Sequence, residues 1–140
     1  LIEASTKFFF NLKIGSPKKY EVKKNLLNWA KKNKAKIKLY NHPKKAILNS
    51  DVVFADKFIS MNDKTNKKKK IKDFKKFQVN SELMRYAKKK AIFLHCLPAS
   101  RGQEVSSSVI DGNQSKVWQQ ALNRVHVQKS ILLYCLGKLR

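Results

Sequence analysis

The sequence predicts an α/β fold built on an open parallel sheet, and three observations predict it. Short apolar runs without a polar break, Val52-Val53-Phe54 and Ala91-Ile92-Phe93-Leu94, have the length and composition of strands packed on both faces. Around them lie stretches whose apolar residues recur at helical spacing, the clearest being Val22, Leu26, Leu27 and Ala30 with lysines opposite. The run ending at Leu94 then delivers His95, Cys96, Pro98, Arg101 and Gly102 where the strand must stop. Open parallel sheets bind ligands at the carboxyl ends of their strands, because side chains and free backbone groups converge there.

The elements follow in order. Leu1 to Phe9 reads as the tail of a helix already under way, with Phe8 to Phe10 turning inward, so the chain is expected to open within an element. Asn11 to Gly15 gives a short strand, and Ser16-Pro17 opens the next helical region, as proline favours a helix entrance. Tyr20 to Asn33 is an amphipathic cover helix. Lys36 to Tyr40 alternates as a strand, His42-Pro43 breaks it, and Lys44 to Leu48 makes a short helix before Val52-Val53-Phe54. Asn62 to Lys76 is the least regular part, a mobile solvated loop or frayed helix start around four consecutive lysines. Ser81 to Ala87 is a helix with Leu83, Met84 and Ala87 inward. After the central strand, Ser106 to Ile110 is a short helix stopped by Asp111-Gly112. Ser115 is expected to cap a final helix of roughly 22 residues to Leu136, about 33 Å long. Such a helix is long for a small domain and is expected to pack on something beyond this chain.

At 140 residues the chain has the length for one domain and one core. No apolar run reaches the ~20 residues of a membrane span, and the amino end lacks a signal-peptide pattern. The expectation is therefore a cytoplasmic protein, or a mitochondrial-matrix one in a eukaryote. Two cysteines, Cys96 and Cys135, make no disulfide framework, and no Cys/His spacing resembles a metal site. Lysine and arginine total 32 against 9 acidic residues, a net charge of +23, which raises a polyanion or nucleic-acid partner. Only Arg85, Arg101, Arg124 and Arg140 are arginines, however, and no aromatic platform is interleaved with the lysines. The charge reads first as solvated surface, with nucleic acid as the minor alternative.

His95-Cys96-Leu97-Pro98, followed by Arg101-Gly102 and Glu104-Val105, resembles the signature of ornithine carbamoyltransferase. Two further blocks resemble that family in the right order. They are Asp51 to Asp56 running into Ile59-Ser60-Met61, and Val109 to Gly112 with Ser115, Gln120-Ala121, Asn123-Arg124, His126 and Gln128-Lys129. Only the family's carboxyl-terminal half is matched. Its phosphate-binding loop, its His-Pro-x-Gln motif and its Asn-Asn element have no counterpart here.

The resemblance implies a Rossmann-like doubly wound parallel sheet in one truncated domain, 1–140, with a long C-terminal helix and the N-terminal carbamoyl-phosphate domain absent. It implies a transferase of arginine biosynthesis or the urea cycle, moving the carbamoyl group of carbamoyl phosphate to the δ-amine of ornithine without metal or organic cofactor. It places Asp56, Ser60 and Met61 on ornithine, and Cys96, Leu97 and Arg124 at the carbamoyl group, with Cys96 and Arg124 catalytic. It also implies a homo-oligomer, commonly a trimer. Taken alone, Asp56 has a second reading as a strand-end carboxylate capping amides and Arg124 one as half of a helix-surface salt bridge. His95 alone reads as a hydrogen-bonded structural residue. Asn62 stands where the family has glycine, which bears on closure of the loop expected to act as a lid. A non-catalytic interaction domain with the same fold is the remaining alternative.

Overall fold

A computed structural model describes residues 1–59 and 66–138. Its strands are short and all parallel. β1 (Leu12–Gly15) pairs with β2 (Ile37–Tyr40), and β3 (Val52–Ala55) pairs with β4 (Ile92–His95). Each pair is joined through a helical crossover, as parallel pairing requires. α2 (Lys24–Lys32) connects the first pair. In the second, α4 (Lys67–Phe74) and α5 (Ser81–Met84) lie between the strands in sequence. A short helix α3 (Pro43–Ile47) packs on β1 so closely that a Cβ on Gly15 would come 2.9 Å from that of Ala46, which is why a glycine ends this strand.

The core is centred on the second pair. Val53, Ala55 and Phe93 point into it, met by Val79, Leu83, Met84, Val105, Val109, Ile110 and Val117. Phe93, Val105 and Val117 have no exposed surface. Met84 is the core residue the helical spacing predicts. α6 (Ser107–Ile110) and the first turn of α7 (Val117–Cys135) supply the far wall.

Several elements differ from the sequence reading, each for a local reason. Phe8, Phe9 and Phe10 do not turn inward but are exposed. α1 (Ile2–Phe8) ends as Phe9 enters the left-handed region (φ 55°). The residues of α1 that are buried are polar, Ser5 and Thr6, whose hydroxyls donate to the carbonyls of Ile2 and Glu3, both at 2.7 Å. That local back-bonding lets a hydroxyl sit inside without a tertiary partner. α2 starts at Lys24, because Lys18–Tyr20 turns separately and Lys23 is extended. Residues 67–77 are helical rather than a loop. Asn66 caps α4 by accepting from Lys69 N–H at 3.1 Å. One face of α4 is anchored by Phe74, whose ring lies 4.9 Å from Tyr20 and 5.1 Å from Phe58. The lysines thus solvate the outside of an anchored helix. The expected lid around Asn62 lies outside the described residues.

Ser115 does not cap α7. The helix begins at Val117, and Ser115 forms a one-residue parallel bridge with Phe93. Phe93 N–H donates to Gln114 at 2.8 Å, and its carbonyl accepts from Lys116 at 2.9 Å. The chain runs beside β4 before it turns into the helix. α7 has 19 residues, about 28 Å. Only Val117 of its predicted apolar face is buried, while Ala121, Val125, Leu132 and Leu136 are exposed. Among the described residues, no helix is long and apolar enough to cross a membrane.

Candidate active site

Register builds this site. Ala55 lies opposite His95 in the β3–β4 pair, so the next residue of each strand, Asp56 and Cys96, leaves the sheet side by side. Parallel strands are about 4.8 Å apart, and two short side chains bridge that gap. The Cys96 thiol donates to Asp56 Oδ1 at 3.3 Å, and the same oxygen accepts from Lys57 N–H at 2.8 Å. Among the described residues Oδ2 takes no hydrogen bond, which leaves one oxygen of this exposed carboxylate uncommitted.

Partial desolvation pushes the Cys96 thiol up from its ordinary value, and the Asp56 carboxylate that accepts its hydrogen pushes it further. The thiol is therefore held protonated, a donor rather than a nucleophile at neutral pH. Replacing Asp56 with asparagine removes the second cause, so the thiol pKa falls and more thiolate forms. Iodoacetamide should then alkylate Cys96 about three to ten times faster at pH 8. Mass spectrometry of the Cys96 peptide, with exposed Cys135 as internal reference, checks this; an unchanged rate would show that Asp56 does not govern the thiol.

Beyond Cys96 the backbone turns sharply. Leu97 is left-handed (φ 51°) and a cis peptide joins it to Pro98. Leu97 N–H donates to Nδ1 of His95 at 2.9 Å. His95 is 1% exposed, and its Nε2 lies 3.3 Å from Oε1 of Glu104, also 1% exposed. Glu104 Oε1 in turn accepts Ser100 N–H. Arg101 is held in a two-pronged pair with Asp111, its second contact 2.9 Å, which raises the arginine's pKa and lowers the carboxylate's.

α7 is docked onto the same strand end. Gln120 Oε1 accepts His95 N–H at 3.1 Å, so its helix face overlies the end of β4. Arg124 follows Gln120 by four residues and lies on that face. It is exposed and forms no ion pair among the described residues, so the surface-salt-bridge alternative finds no partner. Ser60 and Met61 lie outside the described residues. The structure thus brings Asp56, Cys96 and Leu97 together, while Arg124 is exposed one helical turn beyond Gln120, with no hydrogen bond to those three among the described residues. The resemblance did not reveal the buried His95–Glu104 pair or the Gln120 contact. Glu104 has an acid's sequence signature and no apolar context that would mark it as buried. A cleft of about 440 Å³ lined by Arg85, Lys88, Asn113 and Gln114 opens elsewhere, near the amino end of β4.

Comparison with known proteins places the chain in a family. A family model described as aspartate/ornithine carbamoyltransferase, Asp/Orn binding domain, matches residues 1–135. The chain is 43% identical to the ornithine carbamoyltransferase of Caldicellulosiruptor saccharolyticus over 99% of its own length and 47% of that protein's. It is 46% identical to that of Nitratiruptor sp. over 93% of its length and 43% of the relative's. In three dimensions it superposes on the anabolic ornithine carbamoyltransferase of Campylobacter jejuni with a TM-score of 0.89 at 32% identity, covering 99% of this chain and 47% of that one. The enzyme of Pyrococcus furiosus matches with a TM-score of 0.87 at 36% identity, over 99% and 46%. The chain therefore spans less than half the length of these relatives. Parallel strands joined through helical crossovers, and the superposition on these structures, make the fold the Rossmann-like α/β fold that the resemblance implies. On the match across 1–135, and on the paired strand ends that the match includes, the chain belongs to the aspartate/ornithine carbamoyltransferase family.

Proposed function

We propose that this chain is the ornithine-binding half of an ornithine carbamoyltransferase, with carbamoyl phosphate held by a domain outside residues 1–140. The observation that carries the reading is the Cys96–Asp56 hydrogen bond across the ends of two parallel strands, next to the left-handed Leu97. In the reaction the lone pair of the ornithine δ-amine attacks the carbonyl carbon of carbamoyl phosphate. A C–N bond forms, the C–O bond to phosphate breaks, and citrulline and phosphate leave. One amine proton is lost on the way, and the phosphate can take it.

The chemistry asks for a held amine, a stabilised oxyanion and a dry cleft. Asp56 Oδ2 suits the ornithine α-ammonium as a charge-assisted acceptor. Ser60 and Met61 would contact the amino-acid end. The Cys96 thiol and the Leu97 carbonyl would flank the reacting amine and carbamoyl group. A protonated thiol suits that place, because a thiolate would compete with the amine for the carbonyl carbon. Arg124 would meet the carbamoyl oxygen as negative charge gathers on it.

Titration calorimetry with ornithine, or with an analogue lacking the δ-amine, tests the reading on the complete enzyme of which this chain is half. Asp56→Ala is expected to weaken binding by about tenfold or more, the loss of one charge-assisted contact. The 140-residue chain alone is expected to make no citrulline, since the family's phosphate-binding loop has no counterpart in it. Turnover by this chain alone, or ornithine affinity indifferent to Asp56, would overturn the assignment.

A further inference from the structure

Among the described residues, the buried ionisable side chains are His95 and Glu104. Neither is given a substrate contact above. A carboxylate and an imidazole taken wholly out of water are costly, and apolar residues of similar volume would fill the space with less penalty. We propose that His95 and Glu104 are a positioning pair that aims the Cys96 thiol and the Leu97 carbonyl at the carbamoyl group, a role that rests on the carbamoyltransferase reading.

The geometry carries this step by step. Leu97 is left-handed, a conformation that leucine holds only under constraint. The constraint is its own N–H, which donates to Nδ1 of His95 at 2.9 Å. That bond fixes the peptide plane between Cys96 and Leu97, and so the direction in which both residues leave the backbone. An Nδ1 that accepts carries no hydrogen, so the neutral ring carries its hydrogen on Nε2, the atom 3.3 Å from Glu104 Oε1. The contact is at ion-pair distance but off hydrogen-bond alignment. Glu104 thereby selects the tautomer that Leu97 needs. The same carboxylate oxygen accepts Ser100 N–H. One pair of side chains thus holds two backbone amides, at either end of the Leu97–Ser100 turn. His95 is itself fixed from the other side, where Gln120 of α7 accepts its backbone N–H at 3.1 Å.

Three variants of the complete enzyme separate positioning from packing. His95→Asn offers an amide oxygen near the Nδ1 position and keeps an acceptor for Leu97. His95→Gln reaches toward Glu104 but leaves the Leu97 N–H without one. Glu104→Gln keeps an acceptor for Ser100 and removes the charge. His95→Gln is expected to lower kcat about 100-fold while the KM for ornithine moves less than about threefold. Amide exchange across residues 96–100 should speed up by about tenfold in the same variant, as a lost hydrogen bond requires. His95→Asn should recover about tenfold of the lost kcat and restore slow exchange. Glu104→Gln should cost about tenfold in kcat, again with little change in KM.

Equal losses in both His95 variants, tracking a fall in thermal midpoint and with exchange raised throughout the domain, would mean that the pair only fills space. Unchanged kcat in all three variants overturns the proposal directly. If the wild-type enzyme makes no citrulline, the carbamoyltransferase reading falls and takes the catalytic role of this pair with it, whatever the exchange rates show.

Discussion

If the proposed carbamoyltransferase assignment holds, Arg124→Gln is expected to lower kcat for citrulline formation in the complete enzyme by about 100- to 1,000-fold, the loss that follows removal of one donor from a developing oxyanion. The expectation starts from where α7 is pinned. Gln120 accepts His95 N–H at 3.1 Å, which fixes one helix face over the end of β4. Arg124 is one turn further on the same face, about 6 Å along the axis, and forms no ion pair among the described residues. A guanidinium so placed and so uncommitted suits the carbamoyl oxygen, where charge appears only as the C–N bond forms. The ornithine KM should therefore move little, because the contact strengthens in the transition state rather than the ground state. Arg124→Lys keeps the charge and loses the planar fork, so it should recover only part of the rate. Steady-state kinetics on the complete enzyme decides: a change below about threefold in kcat would return Arg124 to the solvated surface.

The largest effect on stability is expected at Phe93. It has no exposed surface, pairs with Val53 of β3 on one side, and on the other exchanges hydrogen bonds with Gln114 and Lys116. Neighbours bonded to the backbone on both flanks cannot collapse into the space left by a deleted ring. Phe93→Ala should thus cost about 3–5 kcal/mol, a large part of the roughly 5–15 kcal/mol that holds a domain together. Urea denaturation should show the midpoint falling by about 2 M at an unchanged slope. Leu132→Ala, on the exposed part of α7, provides the contrast and should move the stability of this chain by less than about 0.5 kcal/mol. Comparable losses at both positions would mean that the core is not centred where Phe93 sits.

These expectations show which parts of the molecule were legible in the sequence. β3 and β4 were legible because an unbroken apolar run has one stable use in a parallel sheet. Asp56 and Cys96 were named by resemblance, and the register supplies the physical reason that they meet. At 67–77 the sequence left a loop and a frayed helix start both open, since charge density masks a helix whose fixing contacts are long-range, Phe74 against Tyr20 and Phe58 and the Tyr20 hydroxyl donating to Asp73 at 2.9 Å. Ser115 was misread because its local signal, a small hydroxyl residue before a helix, is also compatible with a bridge to Phe93, and only the tertiary neighbour decides. The inward turn expected of Phe8 to Phe10 failed for a related reason: apolar character predicts burial only where something is present to bury against. His95 and Glu104 were visible as letters, but eight residues of irregular chain separate them, and no periodicity links two side chains across such a segment.

The exposed flank of α7 has a consequence for how this chain behaves by itself in solution. Leu122, Val125, Leu132 and Leu136, exposed and at helical spacing, form a greasy strip on a molecule of net charge +23. In dilute buffer, mutual repulsion keeps copies of the chain apart. At about 1 M salt the range of that repulsion shrinks to roughly 3 Å, shorter than a leucine side chain, and nothing then keeps two strips from meeting. Its colloidal stability therefore runs opposite to that of a protein whose association is driven by attraction between opposite charges: it stays dispersed at low ionic strength and salts out as the ionic strength rises.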